Sequence, residues 1–152
     1  MKLNLGSGNK HKEGYINIDI DATTKPDILR DVEKGLPFSD SVIDEIYTEH
    51  FLEHVNPDNI HFVMFEMWRV CKPGSLIKII VPIGKGWINS PEHKTHFAEK
   101  SWIFFTKWND SRKTGYDFSL GTYNVLRAKV NDLEPDSEGF GDELHFTLEC
   151  IK

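Results

Sequence analysis

The sequence predicts an α/β domain of three layers built on a mostly parallel sheet, and three observations carry that expectation. Short apolar runs recur through the first half of the chain, some rich in isoleucine as buried parallel strands are, and each stops at polar residues. One well-punctuated amphipathic helix separates the fourth run from the fifth. The last run alternates apolar with polar side chains, as a strand with one buried and one wet face does. An antiparallel pair at the sheet edge therefore closes an otherwise parallel order.

Residues 2–5 and 15–20 read as the first two strands, and the material between them is little more than polar turn, so the first helix is reduced to a turn at most. Residues 26–31 give a third short strand ending on Asp31, and after a loop at 36–40 a fourth covers 42–47. The helix opens with Asn56 as N-cap, Pro57 at the first helical position and Asp58 at the positive end of the dipole. Ile60, Val63, Met64, Met67 and Cys71 follow at 3-4-3-4 spacing as its core-facing stripe, and Lys72-Pro73-Gly74 stops it. A fifth strand spans 76–81 and ends at Pro82. An aromatic, loop-rich segment occupies 84–121, with a short helix around 98–107. Residues 123–130 and 144–151 are the closing strands, joined by an acidic loop.

At 152 residues, the chain suits a single domain. It divides into a ligand-binding half at 1–83, a capping or substrate segment at 84–121 and C-terminal edge strands at 122–152. No apolar stretch approaches the ~18 residues of a membrane helix, and no basic-then-apolar leader is visible, so a cytoplasmic protein with no membrane partner is expected. A net charge of -6 disfavours a nucleic-acid backbone as partner. Cys71 and Cys150 have neither metal-site nor redox spacing and read as small buried hydrophobes.

In such sheets ligands bind beyond the carboxyl ends of the strands, which directs attention to Gly6, Asp19, Asp31 and residues 48–54. Glycines at 6 and 8 let backbone approach a ligand closely, and a carboxylate at 19 on the neighbouring strand can accept both hydroxyl hydrogens of a ribose. A nicotinamide dinucleotide would need a third glycine and a full helix to cradle its pyrophosphate. Position 10 is lysine and there is no room for the helix, so a nucleoside without phosphates fits better.

Five motifs follow in order: N-L-G-S-G at 4–8, I-N-I-D at 16–19, D-V-E-K-G-L-P-F at 31–38, S-V-I-D-E-I-Y-T-E-H-F-L-E-H-V at 41–55 and M-W-R-V-C-K-P-G-S-L-I-K-I-I-V-P at 67–82. Together they resemble the ordered motifs of class I S-adenosylmethionine-dependent methyltransferases, and most of all small bacterial and phage-type members with a later segment similar to P-E-H-K-T-H-F at 91–97. The resemblance implies a Rossmann-like sandwich with S-adenosyl-L-methionine as cofactor. It implies that Asn4, Gly6, Ser7 and Gly8 face the methionine and ribose, that Asp19 with Ile20 holds the ribose, and that Asp31 and the backbone of Val32 read the adenine. It also implies that His50 sits near the sulfonium and substrate. Asn4 stands where the family commonly has an acidic residue, so a cofactor ammonium must find another partner.

Methyl transfer to a hydroxyl needs a general base, and a histidine suits it. His50 is the first candidate, with His93 or His96 next. Plainer readings stand beside these: Asp19 and Asp31 as turn caps, the glycines as a mere turn, and residues 49–54 as a hydrogen-bonded face. His93 and His96 with Glu92 and Glu99 are two imidazoles and carboxylates without diagnostic spacing, so no metal is expected. Trp87, Trp102 and Trp108 are either packing or an apolar wall for a ring-bearing substrate. The expected function is methyl transfer to a small-molecule or saccharide-like acceptor, with self-association left open. The rival is a non-catalytic nucleoside-binding or partner module, motivated by Asn4 and the missing helix.

Overall fold

The computed structural model describes residues 1–98, 100–105, 122–131 and 143–152. Seven strands form one sheet: β1 (Lys2–Leu5), β2 (Ile16–Asp19), β3 (Ile28–Leu29), β4 (Ile43–Glu49), β5 (Cys71–Pro82), β6 (Thr122–Asn131) and β7 (Glu143–Ile151). Their spatial order is β3-β2-β1-β4-β5-β7-β6. The first five run parallel, β7 is antiparallel to β5, and β6 is antiparallel to β7. The order reverses between β1 and β4, so the carboxyl ends of β1 and β2 and the segment after β4 share one edge of the sheet.

Burial follows the sequence pattern closely. Leu3, Leu5, Ile18, Ile43 and Ile46 form the centre of the core, and on β7 the alternating Leu144, Phe146, Leu148 and Cys150 are all buried. Helix α1 (Ile60–Val70) buries Ile60, Val63, Met64 and Met67 as its spacing requires, with Cys71 just beyond its end. The Asn56 side chain accepts from the Asp58 N–H, capping a 3-10 turn at Pro57–Asn59 that leads into α1. β5 starts earlier than expected, at Cys71, because the pairing with β4 skips from Ile43↔Cys71 to Glu45↔Leu76 across an irregularity that includes the K-P-G turn. There the Ser75 hydroxyl donates to the Ile43 carbonyl.

The helical layers are thin. Apart from α1, the described residues hold only α2 (Gly84–Ile88) and single 3-10 turns, and the connections after β1, β2 and β3 contain no α-helix. A side-chain network stands in for the first helix. Asn4 Nδ2 donates to the Lys10 carbonyl and to Asn17 Oδ1, which also accepts from the Lys12 N–H. Asn17 in turn donates to Asp27 Oδ2 through its backbone N–H and its amide, tying the turn to β1, β2 and the approach to β3. These bonds satisfy backbone groups that a helix would have paired internally.

A second network fixes the loop before β4. Glu66 accepts from the Leu36 N–H and from Arg69, while Arg69 also donates to the carbonyls of Leu36 and Phe38 and to Asp40. In the aromatic stretch after β5, Trp102 is fully buried between Phe97, stacked at 5.0 Å, and Phe146 of β7 at 4.6 Å. Trp102 is thus core packing, and the helix expected around it is a 3-10 turn at Ser101–Phe105. Trp108 lies outside the described residues. No helix among the described residues is long and apolar enough to cross a membrane.

Candidate functional site

A cleft of about 370 Å³ opens at this edge of the sheet, lined among others by Gly6, Gly8, Asp19, Ile20, Asp31, Val32 and His50. Its floor is the turn after β1. Gly6 (φ +63°) and Gly8 (φ +47°) are both left-handed, which glycine adopts without a Cβ penalty. The two differ in surroundings. A Cβ on Gly6 would meet Phe51 at 2.5 Å, whereas one on Gly8 would have no neighbour within 4 Å and would project into open space.

Asp19 is held in place by backbone donors. Gly8 N–H reaches Oδ2 at 2.7 Å and Asp21 N–H reaches Oδ1 at 2.8 Å. Each bond uses one lone-pair site of a carboxylate that has about four, so hydroxyl donors still find acceptors there. Ile20 beside it is 67% exposed and adds apolar surface to the cleft wall. Asp31 caps the 3-10 turn Val32–Lys34 by accepting from the Glu33 N–H and pairs with Lys34 at 3.1 Å. Arg30 closes the same turn by donating to the carbonyls of Lys34 and Gly35.

The structure thus brings Gly6, Gly8, Asp19, Ile20, Asp31, Val32 and His50 together. Asn4 and Ser7 lie behind the cleft rather than among its lining: the Asn4 amide is committed to its network, and the buried Ser7 hydroxyl has no hydrogen-bond partner among the described residues. Sequence reasoning missed Arg30 and Lys94 as lining residues and reached Phe51 only as part of the 48–54 stretch. Phe51 lies in the 41–55 motif and Lys94 in the 91–97 segment, but nothing in the spacing of either marks that residue as a cleft wall.

His50 follows β4 in a left-handed conformation, φ +51°, and its N–H donates to the Ile80 carbonyl. Its Nε2 lies 2.8 Å from Glu143 Oε1 and its Nδ1 is 3.4 Å from Glu53 Oε1. Glu53, and then Glu143, raise the imidazole pKa above its usual value, opposed by partial burial. Glu143 also contacts His145 Nε2 at 3.1 Å. This carboxylate arrives from 93 residues away because β7 pairs antiparallel to β5 with Glu143 opposite Pro82, a juxtaposition no local pattern announces.

The P-E-H-K-T-H-F segment docks on the turn after His50. Lys94 and Thr95 N–H both donate to the Glu53 carbonyl, and the Thr95 hydroxyl donates to the Val55 carbonyl. His93 does not line the cleft. Its Nδ1 lies 2.8 Å from the Trp87 carbonyl, while His96 packs edge-on against the Trp87 ring.

A parallel sheet with an antiparallel strand β7 and a glycine-turn cleft beyond β1 and β2 defines the class: this is the class I methyltransferase fold. Residues 9–79 match the family described as a methyltransferase domain. Among solved structures it is similar to a SAM-dependent methyltransferase from Methanosarcina mazei, with 17% identity, TM-score 0.69, and coverage of 99% of this chain and 92% of that one. A SAM-dependent methyltransferase from Archaeoglobus fulgidus gives 16% identity and TM-score 0.70 over 97% and 85% of the two chains. The Burkholderia thailandensis 1,6-didemethyltoxoflavin-N1-methyltransferase, solved with 1,6-didemethyltoxoflavin and S-adenosylhomocysteine, gives 12% identity and TM-score 0.66 over 99% and 71%. No curated protein matches the chain.

Proposed function

We propose that the protein binds S-adenosylmethionine in this cleft and transfers its methyl group to a small-molecule acceptor, saccharide-like acceptors included. The observation that carries the reading is the joint placement of the Gly6–Gly8 turn, the Asp19 carboxylate and the exposed Ile20 around one cleft. Asp19 accepts the ribose hydroxyls with the lone pairs that Gly8 and Asp21 leave free. Ile20 and Val32 give apolar surface for the adenine, and Asp31 accepts from its amino group. The open space beside Gly8 is where the ligand passes over backbone.

When bound, S-adenosylmethionine supplies a methyl group activated by a sulfonium. The chain's own contribution is position: holding two reactants in line is worth about 7–11 kcal/mol. His50, at the cleft wall with a carboxylate near each nitrogen, is the group we assign to take a proton from a hydroxyl acceptor. His93, outside the cleft lining, acts through the docked 91–97 segment rather than on the acceptor.

Calorimetry with S-adenosylhomocysteine tests the reading. Wild type binds with measurable heat and Asp19→Ala loses most of it. Absence of heat with folded wild type at millimolar ligand would sink the proposal. Binding without turnover across a broad acceptor panel would favour instead a non-catalytic nucleoside-binding module, the reading that the short turn after β1 supports.

A further inference from the structure

Glu53 is fully buried, and neither of its carboxylate oxygens accepts a hydrogen bond among the described residues. A buried carboxylate without donors is costly, so something positive must compensate it. Three imidazole nitrogens surround its Oε1 at distances too long or too misaligned for hydrogen bonds: His50 Nδ1 at 3.4 Å, His54 Nε2 at 3.9 Å and His93 Nε2 at 4.0 Å.

The orientation of His93 sharpens the problem. Its Nδ1 lies 2.8 Å from the Trp87 carbonyl, which can only accept, so that nitrogen carries a proton. In the neutral ring Nε2 then presents a lone pair to the Glu53 carboxylate. Two electron-rich atoms facing each other across 4.0 Å in a buried setting are held together best by a cation between them. The ligating atoms of Glu53, His54 and His93 lie within 4.8 Å of one another, and the His54 and His93 rings meet edge to face at 5.0 Å. A divalent ion with ligand bonds of about 2.0–2.2 Å spans such a gap after a small contraction.

We infer that Glu53, His54 and His93 form a binding site for a divalent transition-metal ion, with zinc the ion best suited to the donor set. Two imidazoles and a carboxylate are a three-ligand zinc set that leaves a fourth position open, and a carbonyl on the distal nitrogen of a ligating histidine is the usual outer partner. The Trp87 carbonyl fills that outer role. His54 also lines the cleft, so the three ligands stand beside its wall. The ligands come from the turn after β4 and from the segment that docks on it, so the ion clamps the two together. The pairing of His93 with His96, Glu92 and Glu99 that the sequence invites is not the one formed: His96 packs on Trp87, and Glu99 lies outside the described residues.

The inference stands independently of methyl transfer. The test uses the full chain free of any affinity tag and stripped with chelator, titrated calorimetrically with Zn²⁺ and spectroscopically with Co²⁺. One equivalent of either ion is expected, with the visible d–d absorption of low-coordinate Co²⁺. His54→Ala and His93→Ala are each expected to weaken binding by more than the roughly 10–100-fold that loss of a second-shell partner costs. His11→Ala, at an exposed position, leaves it unchanged. Asp19→Ala keeps the metal while losing S-adenosylhomocysteine, so the two readings fail separately. Binding below one equivalent, or undiminished binding in both His54→Ala and His93→Ala with circular dichroism unchanged, overturns the inference.

Discussion

Gly6 and Phe51 are packed so closely that the hydrogen on the glycine Cα is all the space allows: a methyl group there would lie 2.5 Å from the phenylalanine side chain. The turn after β1 and the turn after β4 are thereby fitted to each other, and both line the cleft. Gly6→Ala must displace Phe51 and also hold a left-handed residue, which alone costs about 1–2 kcal/mol. Gly8→Ala carries the conformational cost without the clash. Thermal unfolding should therefore fall clearly further for Gly6→Ala than for Gly8→Ala. The Gly8 variant should stay folded while its added methyl, projecting into the open space, weakens S-adenosylhomocysteine binding in calorimetry.

Asp19→Asn keeps the shape of the side chain but loses its charge and one acceptor site. Hydrogen bonds to charged groups are worth about 1.5–3 kcal/mol each, so losing one ribose contact raises Kd by roughly ten- to 150-fold. Asp19→Ala should be the worse of the two, because Gly8 and Asp21 N–H also lose their acceptor. Equal affinity for wild type and both variants by calorimetry would remove Asp19 from the site.

Arg69 and Glu66 bind the 36–40 loop to α1, and removing one partner of a buried, hydrogen-bonded pair costs about 3–5 kcal/mol. Arg69→Met should approach the lower end of that range, since the arginine is partly exposed, and urea unfolding reads it directly. Glu66→Gln should cost less, because the Leu36 N–H keeps an acceptor.

The same pair predicts a pH effect. Arg69 first, and then the Leu36 N–H, hold the folded Glu66 pKa below its ordinary value, against burial. A carboxylate with a depressed folded pKa contributes stability that is fully present above its unfolded pKa of about 4.3 and is lost as pH falls through the folded value. Denaturation curves below that pH should show a steeper loss in wild type than in Glu66→Gln.

Cys71 and Cys150 are free and buried, their thiols pushed up by burial to about 12 and about 11. The thiolate is the reactive form, so neither should be alkylated in the native protein at neutral pH. Iodoacetamide followed by mass spectrometry should show modification only after denaturation.

The strands, α1 and the Gly6–Asp19–Asp31 constellation were legible because each rests on local periodicity or on the ends of adjacent parallel strands. Strand β7 was readable residue by residue from its alternation. The partners of His50 were not, since Glu143 reaches it only through pairing of distant strands, and the burial of Glu53 depends on the 91–97 segment docking over it. Asn4 departs from an expected acid in the sequence, but its work as an internal strut for the helix-free turn is visible only in three dimensions. Trp102 read as either wall or core, and the Phe97–Trp102–Phe146 stack makes it core.

The left-handed backbone of His50 sets local strain against side-chain contacts at a single position. A glycine there would relieve about 1–2 kcal/mol of conformational cost and sacrifice every contact of the imidazole. The contacts outweigh the strain, so a screen of this protein for heat resistance alone should pass over His50→Gly, which would leave Glu53 buried without its nearest imidazole.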